Sequence, residues 1–72
     1  MTISTIESLL LQRLEEIRPL CPDMRFGQLM AWLGELSEDE TGRGLWDVED
    51  DQLLTAMDRL KVQLLRRLDN AE

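Results

Sequence analysis

The sequence predicts an all-α fold, a small three-helix bundle with a long third helix, in a single domain over residues 1–72. Three observations predict it. Leucine is abundant while the aromatics are only Phe26, Trp32 and Trp46, a composition that favours helix over sheet. Apolar residues recur at three- and four-residue spacing in three separate stretches. Two breaks divide those stretches, one carrying Pro19 and Pro22 and the other Gly42 and Gly44.

The first helix is expected over about 5–18. Ser4 and Glu7 have the spacing of a capping box, in which each side chain satisfies a free backbone N–H of the other. Ile6, Leu10, Leu14 and Ile17 then repeat at helical spacing. Pro19 and Pro22 cannot continue a helix, and Asp23 is a good cap for a second one over about 24–36. On a wheel of ~100° per residue, Phe26, Leu29, Met30, Trp32, Leu33 and Leu36 fill one broad arc. Gly27, Ala31 and Gly34 form a stripe of small residues beside it, so the second helix is expected to be central and buried.

Residues 37–46 are polar and glycine-containing and read as a loop. Asp47 can cap the third helix, expected over about 48–68, with Glu49, Asp50 and Asp51 in a first turn where the helix dipole favours negative charge. Leu53, Leu54, Met57, Leu60, Leu64, Leu65 and Leu68 cover about half its circumference. This helix outlasts the other two, so part of its apolar face needs another cover. A core of this size supplies only ~3–5 kcal/mol without a staple or a partner. A homodimer is therefore expected, with Gly27, Ala31, Gly34, Leu53, Leu60 and Leu64 as its interface. The acidic front and basic back of the third helix suit antiparallel pairing of two copies, although helix-dipole compensation explains that polarity equally well.

The charge is uneven. Net charge is -7, and residues 35–51 hold eight acids against the single base Arg43, which accounts for the whole imbalance. Direct binding to nucleic-acid phosphates needs clustered Lys and Arg, so a protein partner with a basic surface is expected instead. Without histidine, tyrosine or a phosphate-binding loop, and with a lone Cys21 that has no basic neighbour, the chain has little material for catalysis. No enzyme activity and no cofactor are expected. Aligning Asp39 with the first position of a twelve-residue calcium loop puts Gly44 and Asp50 in register, but Arg43 falls where an oxygen ligand belongs, so no metal site is expected. The start lacks a basic, apolar signal peptide, and no apolar stretch reaches the ~20 residues of a membrane span. A cytoplasmic location follows, and the unpaired Cys21 fits a reducing compartment.

The partner-binding candidates are Trp46, Asp47, Glu49, Asp50 and Asp51, with Arg25 and Gln28 on the polar edge of the second helix positioned to pair with those acids. Trp46 has two readings: an aromatic offered to a partner, or one that packs with Leu45 back over the second helix. Arg25-Phe26-Gly27-Gln28-Leu29, followed by Leu45-Trp46-Asp47-Val48-Glu49-Asp50-Asp51-Gln52-Leu53-Leu54, resembles a pair of motifs in short bacterial proteins of uncharacterised function. The resemblance covers about the middle half of the chain. It implies a bacterial or phage origin and a joint unit in which the polar edge of the second helix meets the cap of the third; it supplies no activity. An alternative function is an acidic, antitoxin-like inhibitor that occupies the basic surface of a nucleic-acid-binding protein, which needs acids spread over an extended face.

Overall fold

Three helices make up the structure, a computed structural model that describes residues 5–69: α1 Thr5–Ile17, α2 Phe26–Thr41 and α3 Asp50–Asp69, with a 3-10 turn at Arg18–Leu20. The all-α class and the long third helix hold. The capping box expected at Ser4 lies outside the described residues, as do residues 70–72.

Both breaks differ from expectation in local chemistry. The α2 start falls at Phe26, not 24, because Asp23 does not cap it. Arg25 is the extended N-cap residue, and its backbone N–H donates to Gln28 Oε1 at 2.8 Å, one half of a capping box. At its other end α2 continues five residues past Leu36. Ser37 extends the buried stripe of Leu29, Leu33 and Leu36, and the helix stops only at Gly42, whose φ of 76° suits a residue without a Cβ. Asp39 and Thr41 are thus helical, and the twelve-residue loop that would begin at Asp39 does not form. The α3 start falls at Asp50 with the Glu49 carbonyl accepting from the Leu53 N–H at 2.9 Å, while Asp47 is held in a preceding turn and is not its cap. Asp50 and Asp51 do occupy the first turn.

The central element is α3, not α2. It packs against α1 on one side and α2 on the other, while the backbones of those two stay more than 8 Å apart, Cα to Cα, among the described residues. Arg13 pairs with Asp58 and Glu16 with Lys61, so α1 runs parallel to α3; Glu40 pairs with Arg59 while Gln28 lies by Leu64 and Leu68, so α2 runs antiparallel. Ile17, Leu29, Leu33, Ala56, Leu60 and Leu64 form the buried core. On α2, Phe26, Gly27, Gln28, Ala31 and Glu35 face solvent. Its small residues count as apolar on a wheel but carry little surface to bury, which is why α2 covers only one side of α3. The arrangement is elongated, 43 × 28 × 19 Å with a radius of gyration of 12.5 Å, against about 11 Å for a typical chain of this length.

An ion-pair network ties α1 to α3. Lys61 Nζ and Arg13 each donate to Glu16 Oε1 at 2.9 Å, and Arg13 also meets Asp58. The hydrogen bond from Lys61, then that from Arg13, holds the Glu16 carboxyl below its ordinary value of 4.5. A depressed carboxylate stabilises the fold above that ordinary value, and the contribution is lost as pH falls through the lower folded value. Thermal melts should therefore show Glu16→Gln lowering Tm at pH 7 and narrowing the drop in Tm on acidification. An unchanged acid-induced drop in the variant would remove Glu16 from the account.

Candidate interaction surfaces

The connection between α2 and α3, residues 42–49, is pinned from below. Ser37 is fully buried, and its Oγ donates to the Arg43 carbonyl at 2.6 Å. Thr41 Oγ1 donates to the Ser37 carbonyl at 2.8 Å and accepts from the Arg43 N–H at 3.0 Å. The N–H groups of Asp47 and Val48 both donate to the Gly44 carbonyl, at 3.1 and 3.0 Å, closing a turn. Leu45 folds back onto α2, its Cγ sitting 3.4 Å from where a Cβ on Gly34 would lie. The hydrogen-bonded anchors use backbone groups that a free loop would leave to water.

That turn throws Trp46 outward. Its side chain is 95% exposed, the most exposed of the large apolar residues among those described. The reading in which Trp46 closes the core beside Leu45 is therefore wrong; only Leu45 packs back. Successive residues of a tight turn point apart, so one covers α2 and the next points away. Trp32 is half-buried against the core, with the Arg67 guanidinium 5.6 Å over its ring.

Asp47, Glu49, Asp50 and Asp51 are exposed around Trp46, and Glu35, Glu38 and Asp39 are exposed on α2. Arg43 lies among them, 3.9 Å from Glu49 and donating to the Asp47 carbonyl at 3.5 Å. Glu40 is the exception, half-buried and engaged by Arg59 at 2.6 Å. Among the described residues no group of three or more His, Cys, Asp or Glu converges to hold a metal ion, and no helix is long and apolar enough to cross a membrane.

Arg25 and Gln28 do not join these acids. Gln28 lies beside Leu64, Arg67 and Leu68 near the end of α3, and Asp50 to Arg67 is ~26 Å along the helix at 1.5 Å per residue. The polar edge of α2 meets the wrong end of α3 for such pairing, because the two helices run antiparallel. The expected dimer stripe is also dispersed. Gly27 and Ala31 are exposed, with open space where a Cβ on Gly27 would sit; Gly34 is covered by Leu45; Leu53 packs on the core; and Leu60 and Leu64 are buried within it. Residues buried inside one chain have no surface to offer a second copy.

The uncovered apolar face of α3 lies instead at Val62, Leu65 and Leu68. Beside Leu68 opens a groove of about 680 Å³ lined by Leu20, Cys21, Pro22, Asp23, Met24, Gln28, Leu64, Arg67 and Leu68. Cys21 is buried at its floor, its Sγ directed to the Ile17 and Arg18 carbonyls at 3.7 and 3.8 Å. Sequence reasoning missed this groove. Its signal was present in the apolar pair Leu20-Cys21 trapped between two prolines, a turn that cannot extend α1 over the last turns of α3. Comparison with known proteins returned nothing similar to this chain: no protein family, curated protein or solved structure matches.

Proposed function

We propose that this protein is a non-catalytic interaction module of the cytoplasm that presents its Trp46 loop to a protein partner with a basic surface, and that it works as a small homo-oligomer. The observation that carries the reading is Trp46, fully solvated at the tip of a turn that buried Ser37 holds in place. Exposing a tryptophan leaves about 150–250 Å² of mainly apolar surface in water. Aromatic anchors on rigid supports surrounded by polar groups are the usual centres of binding energy in protein interfaces. The four acids around it would steer a cationic surface toward the ring and fix its orientation. The rival reading, an inhibitor that imitates a nucleic-acid backbone, needs carboxylates along an extended face, and here they gather at one end.

The test places a photo-crosslinking amino acid at position 46, and separately at exposed Ser8 on α1, in cells that make the protein. A discrete product formed from position 46, weakened by high salt and absent from position 8, is the expected result. Identical products from both positions, or none from position 46, would overturn the reading.

A further inference from the structure

We propose that the groove at the end of α3 is the docking site for the Trp46 loop of a second copy of this chain. The proposal rests on the reading of that loop as a binding element and names its occupant. One end of the molecule offers a solvated aromatic knob followed within five residues by four exposed carboxylates. The other offers an apolar hollow walled by Leu20, Pro22, Met24, Leu64 and Leu68, of a size within the ~300–1,000 Å³ range of binding pockets.

Charge matches the shapes. Arg67 lines the groove, and the Arg18 guanidinium donates to the Cys21 carbonyl in its wall at 2.8 Å. The knob brings Asp47, Glu49, Asp50 and Asp51. Asp23 is the one carboxylate among the groove's lining residues. With one face of its guanidinium over Trp32, Arg67 keeps its N–H edge for an incoming carboxylate. Trp46 and the groove lie at opposite ends of α3, so one chain cannot fill its own groove. The contact is head to tail, and two such contacts close a dimer if the copies lie antiparallel. The ring buries far less than the ~1,200 Å² of a stable interface, so the contact is weak and salt-sensitive.

Sedimentation equilibrium from about 10 µM to 1 mM, the range in which a contact of this size is populated, tests the proposal with Trp46→Ala and Leu68→Asp. Both side chains are exposed, 95% and 52%, so circular dichroism should show both variants folded. Expected is a wild-type mass that rises with concentration and falls back at high salt, with each variant weakening association at least ~10-fold. An equimolar mixture of the variants should associate more tightly than either variant alone and less tightly than the wild type, because it keeps one intact loop–groove pair where a closed wild-type dimer has two. A wild type that stays monomeric at 1 mM, or a mixture that associates no more than the separate variants, would overturn the proposal. Association lost with Trp46→Ala but kept with Leu68→Asp would also overturn the groove as the docking site and leave the loop's binding role standing. In the crosslinking experiment the two ideas separate by mass, since a product of twice the chain mass is self-association and any other is a different partner.

Discussion

Leu60→Ala should leave about half of the molecules unfolded at 25 °C. Leu60 is fully buried on α3, in the same core cluster as Ile17 from α1 and Leu29 and Leu33 from α2. The backbones of α1 and α2 stay apart and each packs on α3, so a cavity there weakens both contacts at once. Truncating a buried leucine costs about 3–5 kcal/mol, transfer and residual cavity together. The whole core is worth ~3–5 kcal/mol, so the two cancel. Urea titration followed by far-UV circular dichroism measures this, with half-exposed Leu65→Ala as the comparison, expected to cost under ~1 kcal/mol. Equal losses in the two variants would mean that α3 does not pack by the face described.

Ser37→Val should cost about 3 kcal/mol although it adds apolar surface to a buried position. Ser37 Oγ is the short donor to the Arg43 carbonyl, and without it that carbonyl keeps only the Thr41 hydroxyl at 3.4 Å. Losing that hydrogen bond costs about 1 kcal/mol. A second methyl at a site with no exposed surface adds an overpacking cost of about 1–3 kcal/mol. Ser37→Ala separates the two, since it loses the hydrogen bond without adding bulk, and about 1 kcal/mol is expected. Hydrogen exchange at the Asp47 and Val48 amides should quicken in both variants as the turn at Gly44 loosens. A neutral Ser37→Val would show that Leu45, Thr41 and the turn at Gly44 hold the loop without the Ser37 hydrogen bond.

The helices were legible because their signals are local. Apolar spacing located all three, and prolines and glycines marked both breaks. Boundaries erred where a side chain serves a role that its type does not advertise. Ser37 looked like the first residue of a loop because serine is polar, yet it is buried and its hydrogen bond is made to a residue six positions on. Asp23 and Asp47 looked like caps because aspartate caps well, but Gln28 took the first role and the Glu49 carbonyl opens α3. The acids after Trp46 lie together and exposed because they are contiguous in sequence, whereas Arg25 and Gln28 lie at the opposite end of the molecule from them.

Residue types read along short windows are enough to give the helical class, the length of α3 and the concentration of negative charge between α2 and α3. Tertiary packing settles that α3 is the centre, that Leu60 and Leu64 are core, that Trp46 stands almost wholly in water while Leu45, though partly exposed, rests on Gly34, and that an apolar groove opens at the far end. Those outcomes depend on the direction in which α2 and α1 lie against α3. That direction is set by contacts such as Arg13 with Asp58 and Lys61 with Glu16, between residues 45 positions apart in the chain, which no local pattern encodes.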